Sequence, residues 1–177
     1  MRSRSLRAFV ALLVLVGIHL VAAPTATAGP YCGITWGSQP RSAAGTTVGM
    51  LTGVRTGRHE CYDRLVVDVD SSVTHWDVRY VDGLGGLVPG GAQLDVRVGT
   101  AFPANHTWLI HQVLADVRTY PTFRAVRAGG GDGVTSSVWL GVRARLPFRA
   151  FVLAGPGAGS RLVVDVAHRW CAPGTTC

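Results

Sequence analysis

The densest set of side chains capable of chemistry is Arg58, His59, Glu60, Asp63 and Arg64. A second polar set, Arg161, Asp165, His168 and Arg169, lies close to the other end of the chain. A guanidinium offers a planar fork of N–H donors that matches a carboxylate or another anion in a bidentate way. Both sets are carried by the same vocabulary: Arg64-Leu65-Val66-Val67-Asp68-Val69 returns as Arg161-Leu162-Val163-Val164-Asp165-Val166. If the two copies adjoin, the polar sets share one neighbourhood. That neighbourhood reads in two ways. It is a binding patch for an anionic or carboxylate-bearing polymer, or it is a solvated face of cross-strand ion pairs, Arg64 with Asp165 for example, each worth about 0.2–1 kcal/mol. The candidate ligand-binding residues are Arg58, His59, Arg64, Arg161, Asp165 and His168.

No motif for bond-breaking chemistry accompanies them. Gly-x-Ser-x-Gly, His-Glu-x-x-His and a phosphate-binding glycine loop are all missing from the sequence. His59-Glu60 lacks a second histidine one helical turn later, and His106 and His111 are spaced for one face of neither a helix nor a strand. The four cysteines lack the paired C-x2-C form of a zinc site. The sequence names no catalytic residue, no cofactor and no metal, and it predicts a non-enzymatic protein. Tyr62, Trp76, Tyr80, Trp108, Tyr120, Trp139 and Trp170 could stack on sugars, and Trp76 and Tyr80 share one face of a predicted strand.

The elements that must position these residues are strands. In each repeated segment Leu65, Val67 and Val69, or Leu162, Val164 and Val166, point one way, the period of a half-buried strand. Both sets are predicted to be buried in one core, on neighbouring strands, with Asp68 and Asp165 on the opposite face. Val48–Arg55, Val73–Val81, Leu94–Val98, Phe123–Ala128, Val134–Arg143 and Phe148–Leu153 read as further strands. The stretch 108–118 fits helix and strand about equally and is assigned as strand. Between them stand turn signals such as Asp82-Gly83, Pro89-Gly90-Gly91, Gly129 to Gly133 and Gly155-Pro156-Gly157. The fold class is therefore all-β, an antiparallel β-sandwich of about seven to nine short strands.

Arg2, Arg4 and Arg7 followed by the apolar run Ala8–Ala22 and by Ala26-Thr27-Ala28 predict a signal peptide, residues 1–28, with the mature chain starting at Gly29. Residues 29–57 are assigned as an amino-terminal arm packed on the domain, and 58–177 as the β-sandwich domain. Removing the signal leaves 14 basic against 10 acidic residues, a net charge of +4 rather than +7. The arginines are scattered, so nucleic acid is not expected as a partner. No later segment is long and apolar enough to predict a transmembrane span. Cys32, Cys61, Cys171 and Cys177 all survive cleavage and predict two disulfides. Cys32–Cys61 with Cys171–Cys177 is the favoured pairing. Cys61–Cys171, which would staple the repeated strands, is the alternative.

Cys32 to Ser38, Arg55 to Asp68, Val78 to Val81 and the run from Gly141 to Trp170 resemble the AMIN-like domain of secreted actinobacterial proteins. The resemblance implies a compact β-sandwich exported to the cell envelope, and a pairing of Cys32 with Cys61 that leaves Cys171 and Cys177 to each other. It also implies a secreted, extracellular or wall-associated binding module, non-catalytic, with peptidoglycan, another wall polymer or an envelope protein as partner. The turn Gly129-Gly130-Gly131-Asp132-Gly133 departs from the family pattern, lacking an aromatic residue and a glutamate. A secreted protease inhibitor, or another extracellular protein-binding module, is the alternative reading of a small, exported, disulfide-bonded chain. An unrecognised hydrolase would need a polar cluster in a deep pocket.

Overall fold

The computed structural model describes residues 30–46, 48–82, 88–101 and 109–171. The predicted signal peptide, His106, Trp108 and Cys177 lie outside the described residues. Eleven strands are present among them: Arg41–Ala43 (β1), Gly49–Arg58 (β2), Tyr62–Val69 (β3), Trp76–Val81 (β4), Ala92–Val98 (β5), Thr100–Ala101 (β6), Val113–Ala115 (β7), Phe123–Gly131 (β8), Ser136–Val142 (β9), Phe148–Ala154 (β10) and Ser160–Ala167 (β11). The excess over seven to nine comes from β1, β6 and β7, which span only two or three residues each. No helix of the described residues is long and apolar enough to cross a membrane.

The strands form two sheets, one ordered β1-β4-β5-β9-β8-β7 and the other β10-β11-β3-β2-β6. All ladders are antiparallel except the short β2–β6 pair. The repeated segments are neighbours: β3 and β11 run antiparallel with Leu65 opposite Val164 and Arg64 opposite Asp165. Leu65, Val67, Leu162, Val164 and Val166 are fully buried and Val69 nearly so. They meet Val78, Leu94, Val96, Val138 and Leu140 from the other sheet in one core. Alternation in both sheets thus produces a sandwich, because each has one apolar face to hide from water.

β2 pairs along β3 from Leu51 to Arg58, so the residues that pack as an arm are those before it. That arm is tied down at several points. Gly37 exchanges backbone hydrogen bonds with Phe148, Cys32 is bonded to Cys61, and β1 then crosses to pair with β4 of the opposite sheet. The stretch 108–118 differs from its assignment. Leu109 to Gln112 form a turn, with Leu109 accepting from Gln112, and only Val113–Ala115 is strand. His111 sits there at φ 72°, a left-handed position that ends regular pairing.

Within the 129–133 segment Gly129 serves packing, while Gly130 and Gly133 each take a φ of 90°. β8 continues through Gly131, and a side chain at Gly129 would collide with the Trp139 indole. Asp132 closes the turn by accepting from the backbone N–H groups of Val134 and Thr135, which hold its carboxyl below the usual carboxylate range. The β10–β11 connection places Gly155 and Gly157 at φ 80° and 62°, where glycine carries no Cβ penalty.

Candidate functional site

The outer face of the five-stranded sheet is a grid read directly from the strand registers. Its first row is Arg149, Asp165, Arg64 and Gly57. The second is Phe151, Val163, Val66 and Arg55. The third is Leu153, Arg161, Asp68 and Gly53.

In the first row the Asp165 carboxylate is fully buried and accepts from two arginines. Arg64 donates Nε to Oδ1 at 2.6 Å and Nη2 to Oδ2 at 2.9 Å. Arg149 donates Nε to Oδ2 at 2.8 Å, and its Nη2 lies 2.7 Å from the same oxygen as an ion pair. The hydrogen bond to Asp165 raises the Arg64 pKa above its ordinary value despite partial burial. Both guanidinium carbons lie 5.1–5.8 Å from the Tyr62 and Phe151 ring centres, and Arg149 also lies 5.5 Å from Trp36. Trp36 comes from the arm, 2% exposed, held by an indole N–H bond to the Tyr31 carbonyl and packed on Ala167. Arg64 and Asp165 are thus cross-strand partners, as the sequence suggests, but on a face that is covered rather than solvated. The flanking aromatic rings and the arm keep water from the Asp165 carboxylate, while the Arg64 and Arg149 side chains stay 23% and 32% exposed.

Away from the arm the face opens into a groove of about 270 Å³. Val66 and Val163 form its floor, Leu153 one wall, and Arg55, His59, Arg64 and Arg161 its polar rim. Arg55 is bound in bidentate fashion to Asp68, at 2.7 and 2.9 Å, and those bonds raise its pKa. Arg161 faces Asp68 in register, yet Arg55 has taken that carboxylate. Arg161 donates only Nη2 to the Ala154 carbonyl, and its Nε is buried without an acceptor. His59 stacks on Tyr62 with ring centres 4.5 Å apart.

The structure therefore brings His59, Arg64, Arg161 and Asp165 onto one face and separates Arg58 and His168 from it. Those two belong to one end of the sandwich. Arg58 donates to the Thr119 carbonyl at 3.2 Å. The His168 ring nitrogens lie 3.0 Å from an Asp63 oxygen and 3.1 Å from the Glu60 carbonyl. Asp63 is fully buried and also accepts the backbone N–H groups of Thr122 and Phe123. This carboxylate joins β3 to the start of β8 across the two sheets, a structural tie. Arg58 and Asp63 pair across β2 and β3 on the inward side, one residue out of step with Arg64.

Sequence reasoning missed Arg55, Arg149, Phe151 and Trp36 as members of the face. The signal for Arg149, Phe151 and Leu153 is their alternation within the Phe148–Leu153 strand. Trp36 carries none, because its contact depends on where the arm crosses. The proposed stacking pair also differs: Tyr80 is buried, its hydroxyl donating to the Leu146 carbonyl, and Trp76 packs against the core. Tyr120 stacks on Phe123. Cys171 is disulfide-bonded and buried. Among the described residues no three His, Cys, Asp or Glu side chains gather as a metal ion would require.

A two-sheet β-sandwich with an arginine-rimmed, apolar-floored groove on one outer face is the architecture these residues define. The family model of the AMIN-like domain matches residues 49–168, and the chain belongs to that family. The match starts with β2 and ends just past β11, so β1 and the disulfide-bonded arm stand outside it. No curated protein matches the chain significantly.

Proposed function

We propose that the protein is a non-enzymatic module of the cell envelope, exported by its amino-terminal signal. It binds peptidoglycan or another wall or septal component through the outer face of the five-stranded sheet. Family membership and a disulfide between Cys32 and Cys61 are consistent with an extracellular or envelope protein. The observation that carries the reading is the charge of that face. Among the described residues of that face Arg55, Arg64, Arg149 and Arg161 stand against Asp68 and Asp165, a surplus of positive charge beside an apolar floor. Guanidinium groups in such a setting favour carboxylate-bearing ligands.

Co-sedimentation with purified peptidoglycan sacculi tests it, using the chain without residues 1–28. The protein is expected in the pellet, less of it at raised salt because exposed charge attraction is screened. The Arg55→Gln/Arg161→Gln double variant should sediment at least tenfold more weakly. A protein that stays in the supernatant, or a double variant retained like the wild type, refutes the proposal.

A further inference from the structure

We propose that the groove receives a single terminal carboxylate on a short aliphatic peptide, with Arg161 as its receiving group. This rests on the wall-binding reading of the same face and narrows it to one chemical class.

Most guanidinium donors on this face are already used. Arg55 commits Nε and Nη2 to Asp68, Arg64 commits the same pair to Asp165, and Arg149 adds Nε, with Nη2 in ion-pair range of the same carboxylate. Arg161 makes no ion pair with a described carboxylate and one backbone hydrogen bond, through Nη2. Of the four arginines on this face it is the one whose charge lacks a fixed partner among the described residues. A polyanion needs a row of uncommitted cations along its track. One free guanidinium suits one anionic group.

The surroundings of Arg161 set what is attached to that group. The floor is Val66 and Val163, 7% and 1% exposed, and the wall is Leu153, 38% exposed. These surfaces favour methyl or other small aliphatic side chains over a hydrated sugar chain. A groove of about 270 Å³ is on the scale of a short ligand rather than of a polymer track. His59 on the same rim offers a ring nitrogen to a peptide amide. Together these features specify a charged end, an apolar body and one polar link.

The experiment titrates the chain lacking residues 1–28 with acetyl-Ala-Ala as the free acid and as its carboxamide, followed by NMR shifts of backbone amides on β3, β10 and β11. The free acid is expected to bind at least tenfold more tightly than the amide. Arg161→Gln should abolish that preference. Leu153→Asp, a change at an exposed wall, should weaken the acid without lowering the melting temperature, and it serves as the test should Arg161→Gln fold poorly. Equal binding of acid and amide overturns the proposal, as does full acid binding by either variant. Sacculi retained while neither dipeptide form binds overturns the carboxylate assignment and leaves wall binding standing. Acid binding without retention on sacculi supports the carboxylate site and overturns the wall reading.

Discussion

Asp165 is the most informative single perturbation. Its carboxylate is fully buried and takes three N–H donors and a further close ion contact from two arginines whose side chains are 23% and 32% exposed. Asp165→Ala leaves both guanidinium groups facing aromatic rings with no counter-charge. Breaking a buried pair in this way costs about 3–5 kcal/mol. The partial exposure of the arginines lets water recover some of that loss, so we expect about 3 kcal/mol. With a urea slope of about 1–3 kcal/mol/M, the unfolding midpoint should fall by about 1–3 M with the slope unchanged. Replacing the whole triad gives the contrasting result. Arg64→Met, Asp165→Leu and Arg149→Met together remove all three charges of the triad and leave flexible thioethers against Tyr62, Phe151 and Trp36. That triple variant should lie within about 1 kcal/mol of the wild type or be more stable. An Asp165→Ala loss below about 1 kcal/mol would mean that the triad behaves as an ordinary surface pair. A triple variant as unstable as Asp165→Ala would mean that the cost was shape, not charge. Either outcome refutes the reasoning.

The Cys32→Ser/Cys61→Ser variant opens a bridge of sequence separation 29 and should lose about 3.5 kcal/mol in the chain-entropy model. Trp36 emission should shift to the red as the arm lifts, with Trp36→Phe as control; unchanged stability would count against the clasp. Burial raises the pKa of Tyr80 well above its ordinary value of 10.0. Its folded pKa therefore exceeds the unfolded one, so its contribution to stability is complete below pH 10 and declines as pH rises further. Tyr80→Phe should flatten the alkaline loss of stability and cost about 0.5–1.5 kcal/mol at neutral pH through the lost bond to Leu146. An equal alkaline slope in both proteins would contradict this assignment.

Much of the architecture was legible in the residue order. Alternation assigned Leu65, Val67, Leu162 and Val164 to one face, and the repeated Arg-Leu-Val-Val-Asp-Val segment implied neighbouring strands with Arg64 beside Asp165. The physical reason is local: a strand turns successive side chains to opposite sides, so face membership is written in the sequence. What covers a face is not. Asp165 is buried because the arm, Phe151 and Arg149 arrive from positions 14 or more residues distant, along a path fixed by Gly37 pairing with Phe148. Nor does sequence decide which partner a long side chain takes. Asp68 has Arg161 opposite it on one strand and binds Arg55 from the other, leaving Arg161 free. Arg58 lies so close to Arg64 in the chain that the two read as one cluster. The tertiary structure puts them on opposite sides of the sheet, where Arg58 holds the Thr119 carbonyl and Arg64 the buried carboxylate. Local order fixes which way a side chain points. Only the packing of distant segments decides what it meets there, and whether water is still present to screen it.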